Sequence, residues 1–180
     1  SGIYCTTSNT ITIQNNNIGG IDVSGTTATQ ATGFKGIEGA GAGTYVISNN
    51  NVGSTLANNI RAGYLLTAGN LSNAATTPTT ATGASAIQGI LSSATGTSMS
   101  ITNNTLRGFQ FSGSATTFTG INSTGAVTGT IDISSNNLGT AGRGLVAIAF
   151  ATSGGILCIN NSGGSAACVL TMNNNIFQGV

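Results

Sequence analysis

Short stretches in which large apolar residues alternate with small or polar ones recur along the whole chain. Phe34-Lys35-Gly36-Ile37, Ile87-Gln88-Gly89-Ile90 and Phe118-Thr119-Gly120-Ile121 alternate with period two, the mark of a strand with one buried face. A second strand is expected in Ile11-Thr12-Ile13, Tyr45-Val46-Ile47, Met99-Ser100-Ile101 and Ile131-Asp132-Ile133, with the outer two residues inward and the middle one toward solvent. A third follows in Ile21-Asp22-Val23, Tyr64-Leu65-Leu66, Phe109-Gln110-Phe111 and Leu145-Val146-Ala147. Nothing in the chain has a helical period, a capping box or a charged helix face.

These strands keep one order between two markers. Gly-Ile pairs stand at Gly2-Ile3, Gly36-Ile37, Gly89-Ile90, Gly120-Ile121 and Gly155-Ile156, and a short asparagine run ending in an aliphatic residue follows each. The interval from Gly36 to Gly89 has absorbed an insertion without changing the order within the repeat. Segments rich in Thr, Ala and Gly, such as 26–32 and 74–82, read as surface loops between repeats. Self-similarity at this period signals stacked supersecondary units. Each strand then has an equivalent partner one repeat away, so the strands are expected to pair in parallel. Without crossover helices to join them, the fold predicted is all-β: a right-handed parallel β-helix, or β-solenoid, of about five coils. At about 4.8 Å per coil it forms a rod roughly 24 Å tall. Residues 1–180 are read as one segment of it. The repeat is already under way at Ser1-Gly2-Ile3 and still under way at Phe177-Gln178-Gly179-Val180. Neither end carries a polar cap, and the expectation is a piece of a longer repeat array.

The asparagine runs are assigned to an internal ladder. They comprise Asn15-Asn16-Asn17, Asn49-Asn50-Asn51, Asn103-Asn104, Asn136-Asn137 and Asn173-Asn174-Asn175. A buried turn leaves backbone groups that adjacent strands cannot satisfy. Asn stacked on Asn bonds both to the backbone and to the next amide along the axis. Asn also tolerates the left-handed backbone angles that tight turns require.

Composition narrows the function. The chain has 4 Lys or Arg, 3 Asp or Glu and no His, a net charge of +1 and 4% charged residues, against about a quarter in an ordinary domain. Its wet face must be built from Thr, Ser, Asn and Gln. This charge balance gives no footprint for nucleic acid or an anionic membrane. No apolar run approaches the ~20 residues that span a bilayer.

The phrases Ile11-Thr12-Ile13-Gln14-Asn15-Asn16-Asn17-Ile18 and Met99-Ser100-Ile101-Thr102-Asn103-Asn104-Thr105-Leu106 resemble the parallel β-helix repeat of pectate-lyase-like proteins. The Thr- and Ser-rich spacers and Gly-Ile starts are similar to repetitive β-helix regions of large bacterial surface and secreted proteins, including substrates of type IX secretion. The resemblance implies an extracellular or cell-surface location and a stalk, fibre or adhesive role. Its partners would be neighbouring coils of a longer chain, surface glycans or further copies of itself. Catalysis in that family uses clustered carboxylates, Ca²⁺ and a basic residue. Here Asp22, Glu38 and Asp132 fall on strands three, one and two of different coils, so no catalytic residue, cofactor or metal is assigned. A non-catalytic portion of a polysaccharide-active β-helix is the alternative reading. Ice binding ranks last, because Thr26-Thr27-Ala28-Thr29 and Thr76-Thr77-Pro78-Thr79 do not repeat in register.

Arg107-Gly108-Phe109 and Arg143-Gly144-Leu145 match, and Arg61-Ala62-Gly63-Tyr64 is a looser copy. Arg61, Arg107 and Arg143 therefore form a candidate column for a glycan or an acidic partner, alongside Gln110 and Gln178. The alternative is that each guanidinium caps corner carbonyls or lies over an aromatic ring. Cys158 and Cys168 flank a loop special to the last coil. In an exported protein they are expected to join, leaving Cys5 for a partner outside these residues.

Overall fold

The computed structural model describes residues 1–29, 32–65 and 82–180. Most of the 74–82 loop, including Pro78, lies outside them. The described strands form four parallel sheets, in which each inner strand pairs with its counterparts in the coils before and after it and each end strand with one neighbour. Sheet A stacks Ile3–Cys5, Phe34–Gly41, Ala86–Ala94, Thr117–Ser123 and Ile156–Asn161. Sheet B stacks Ile11–Gln14, Tyr45–Ser48, Ser98–Thr102, Thr130–Ser134 and Val169–Thr171. Sheet C consists of two-residue pieces, Asn17–Ile18, Asn51–Val52, Thr105–Leu106, Asn137–Leu138 and Ile176–Phe177. Sheet D has Ile21–Asp22, Ile60–Gly63, Phe109–Ser112 and Val146–Ile148. The chain is a parallel β-helix of about five coils.

Alternation in the sequence becomes columns in the core. Ile3, Ile37, Ile90, Ile121 and Ile159 lie in one line on sheet A, and Ile18, Val52, Leu106, Leu138 and Phe177 in another on sheet C. The two columns meet across the coil. A Cβ on Gly36 would fall 2.6 Å from a Val52 methyl, on Gly89 2.2 Å from Leu106 and on Gly120 2.6 Å from Leu138. The glycine of each Gly-Ile pair is thus the space into which the aliphatic residue after the asparagines packs. Phe109, Phe111 and Phe118 fill the middle of the rod, with ring centroids 5.2 Å apart for Phe109 and Phe118 and 6.1 Å for Phe111 and Phe118.

Three registers differ from the sequence reading. In the fifth coil Ile159, not Ile156, pairs with Ile121. Cys158 rather than Gly155 therefore occupies the glycine column. In the second coil the sheet D strand is Ile60–Gly63, aligned with Phe109–Ser112. Of the expected Tyr64-Leu65-Leu66 strand, Tyr64 makes only an isolated bridge to Gly25, and Leu66 lies outside the described residues. In the fourth coil Val146, not Leu145, pairs with Phe109. In each case two apolar candidates lie close in sequence, and backbone pairing with the neighbouring coil selects between them.

Candidate functional site

The asparagine runs resolve into three jobs. The first residue of each turn adopts left-handed backbone: Asn15 at φ 59°, Asn49 at 56°, Asn103 at 57°, Ser135 at 59° and Asn174 at 55°. The second points inward as a rung. Asn16, Asn50, Asn104 and Asn136 each donate from the backbone N and from Nδ2 to the Oδ1 of the next rung, at 2.9–3.1 Å. The last acceptor is Asn175, whose Nδ2 donates to Ile133 O at 2.8 Å. Likewise Asn50 Nδ2 reaches Ile13 O, Asn104 Nδ2 reaches Ile47 O and Asn136 Nδ2 reaches Ile101 O. Every inner rung therefore ties three successive coils together.

Asn17, Asn51 and Asn137 are the third kind. They open the sheet C pieces with their side chains on the outer face, where Asn51 Nδ2 donates to Asn17 Oδ1 at 2.8 Å. The last coil is shifted by one: Asn137 pairs with Ile176, so Asn174 takes the left-handed position and Asn175 the rung, while Asn173 lies before the turn. Ser135 is the odd member of the left-handed column, since serine visits that region less readily than asparagine. Ser135→Asn is expected to raise stability by about 0.5–1 kcal/mol. A higher urea midpoint with unchanged m-value would show it, and a lower midpoint would contradict it.

The arginines do not form one column. Arg61 aligns with Asp22 and Gln110 on sheet D, is 0% exposed and forms an ion pair with Asp22 at 3.7 Å. Arg143 belongs to a turn closed by two backbone bonds with Thr140, and its Nε donates to Thr55 O at 3.1 Å. That is the carbonyl-capping role. Arg107 is different: it is half-buried, its Nε is buried, and its side chain makes no hydrogen bond or ion pair among the described residues. Gln110 is buried on sheet D, and Gln178 lies exposed in the last coil.

Arg107 stands at the corner between sheets C and D, where the loop at 54–59 bulges outward. Its position follows Leu106, and its counterparts after Val52 and Leu138 are Gly53 and Gly139. The N–H groups of Gly53, Arg107 and Gly139 all donate to the aliphatic residue one coil back. Both glycines stand where a Cβ would strike the backbone of the next coil, 1.6 Å from Arg107 O for Gly53 and 1.8 Å from Gln178 O for Gly139. A groove of about 460 Å³ opens at this corner, with Asn17, Asn51, Ser54, Thr55, Leu56 and Arg107 among its lining residues. A smaller cavity of about 270 Å³ containing Arg143, Asn58 and Phe109 lies nearer the last coil.

No protein family, curated protein or solved structure matches the chain. Its site is therefore defined by its own geometry. Among the described residues no group of three or more His, Cys, Asp and Glu side chains could hold a metal ion. The carboxylates are dispersed: Asp22 on sheet D bonds Ser24 and Arg61, Asp132 on sheet B accepts from Ser134 at 2.5 Å, and Glu38 on sheet A meets Lys35 at 2.5 Å. Desolvation acts to raise the Glu38 pKa, yet bonds from Lys35 and Ser1 outweigh it and hold the carboxyl below its ordinary value.

The expected Cys158–Cys168 bridge is not formed, and Cys5, Cys158 and Cys168 are free thiols. Cys158 lies within a sheet A strand, whereas Cys168 precedes the sheet B strand, in a turn where its N–H donates to Ser165 O at 3.0 Å. Burial pushes the Cys158 thiol pKa up, which disfavours the reactive thiolate. The outward column on sheet B reads Thr12, Val46, Ser100, Asp132 and Thr171, a mixed set rather than a threonine array.

Proposed function

We propose that this chain is a rigid, non-catalytic segment of an extracellular or cell-surface protein, a stalk or fibre element that also offers a contact surface. The observation that carries the reading is the five-rung asparagine line running through all the coils. Each coil buries its apolar residues against its neighbours, so length can change by whole coils without redesign of the fold. The spacing between rungs varies from 32 to 54 residues, while the rung-to-rung bond keeps the same form. Dispersed, locally engaged carboxylates favour this reading over polysaccharide cleavage. The likeness to surface β-helix proteins exported by type IX secretion supports the location and rests on the repeat phrases alone.

The reading is tested on the source cells. Antibodies raised against the folded chain are expected to label intact, unpermeabilised cells, and surface proteolysis should release a fragment containing the solenoid. Labelling that requires permeabilisation would overturn the proposed location. Cleavage of polysaccharide by the purified chain would overturn the non-catalytic role.

A further inference from the structure

We propose that the groove at the corner between sheets C and D is a binding site for an acidic saccharide, with Arg107 receiving a sugar carboxylate. This deepens the contact-surface reading above. The first support is the disposition of positive charge. Lys35 is held by Glu38, Arg61 by Asp22, and Arg143 is bonded to Thr55 O. Arg107 lines the groove with its guanidinium uncommitted and its Nε already stripped of water. A planar carboxylate offers two oxygens in the geometry that a guanidinium fork accepts. No Asp or Glu lines the groove to compete for it.

The second support is the remaining lining. Asn17, Asn51, Ser54 and Thr55 supply neutral donors and acceptors of the kind that bond sugar hydroxyls. Asn17 and Asn51 bond each other through Asn51 Nδ2 and Asn17 Oδ1, leaving Asn17 Nδ2 and Asn51 Oδ1 for a ligand. Leu56, 68% exposed at the groove edge, offers an apolar surface for the C–H face of a pyranose ring. The volume, about 460 Å³, lies in the range of small-ligand sites. Replacement of glycine by arginine at this point of the corner column makes the third coil the place where the charge appears.

The test uses the purified chain with oligomannuronate as the acidic probe, size-matched dextran oligosaccharide as the neutral one and a polyglutamate peptide as a non-sugar polyanion. Binding is followed by titration calorimetry and amide chemical shifts. Oligomannuronate should bind, shift the amides of 51–56 and 107, and weaken as salt rises. Arg107→Gln should reduce its affinity about tenfold or more, whereas Lys35→Gln, on sheet A and outside the groove lining, should change it less than about twofold. Because the Arg107 side chain makes no internal hydrogen bond or ion pair among the described residues, Arg107→Gln should melt with the parent protein, and Asn51→Ala gives a second, uncharged change to the lining. Equal binding of dextran and oligomannuronate, or unchanged affinity in Arg107→Gln, would overturn the site. Polyglutamate binding as tightly as the sugar would overturn the saccharide assignment. These outcomes are read in solution and are independent of where the protein resides.

Discussion

Asn104→Leu is expected to cost about 3–6 kcal/mol of folding stability, a large share of the 5–15 kcal/mol that holds a typical domain. Asn104 is fully buried at the centre of the rod. Its Oδ1 accepts from Asn50 N and Nδ2 at 3.0 Å, and its Nδ2 donates to Asn136 Oδ1 and Ile47 O. Leucine has nearly the same volume but leaves the Asn50 N–H, the Asn50 amide and the Ile47 carbonyl without these partners in a dry interior. Each such orphan costs about 1–3 kcal/mol. The half-exposed end rung provides the control. In Asn16→Leu the Asn50 Oδ1 still accepts from the backbone N–H of residue 16, so the loss should be about 1 kcal/mol. Chemical denaturation of the two variants measures the difference. Equal losses would mean that the line of amides contributes no more inside the rod than at its end.

Gly53→Val is expected to cost about 3 kcal/mol or more, through backbone geometry rather than lost bonds. Gly53 has φ +89°, and a Cβ built on it lies 1.6 Å from the carbonyl oxygen of Arg107 in the next coil. A β-branched residue meets strain at that angle and forces two stacked backbones apart. The displaced coil carries Arg107, so the groove should be disturbed as well. Gly142→Ala is the matching control: it has nothing within 4 Å and is exposed, so its effect should lie within about 0.5 kcal/mol. Thermal melting of both variants checks the prediction, and a Gly53→Val protein as stable as its parent would refute the close-approach argument.

Much of this architecture was legible because a solenoid writes each core column as a repeated letter. The alternation in Ile131-Asp132-Ile133 needs only the two-residue period of a strand, and that segment lies where the pattern places it. The ladder was legible as a type of residue at a phase, but not as individuals. Within Asn49-Asn50-Asn51 the three side chains are chemically identical. Only turn geometry makes one left-handed, one inward and one outward. The sheet C pieces, two residues each, are too short for any period to reveal.

The candidate site was less legible than the fold. Matching Arg-Gly-apolar phrases suggested one column for Arg61, Arg107 and Arg143, but a strand register error of a few residues moves a side chain from the corner onto a sheet. Arg61 consequently faces Asp22, and Arg143 sits at the tip of a turn formed by extra residues of its coil. The useful clue was the glycine at the matching positions 53 and 139, which marks Arg107 as a substitution in a tight column.

The sequence by itself determined that the chain stacks parallel strands, because equivalent apolar letters recur without helices to join them and each coil needs its neighbours to bury its face. It also determined that amides, rather than charges, serve the turns. Tertiary structure alone decided which asparagine of each run is the rung, which cysteine enters the glycine column and which arginine keeps its charge free of partners. Those choices depend on hydrogen bonds between residues 32 to 54 positions apart. One-residue shifts there reverse a side chain's direction, yet leave the local sequence pattern almost unchanged.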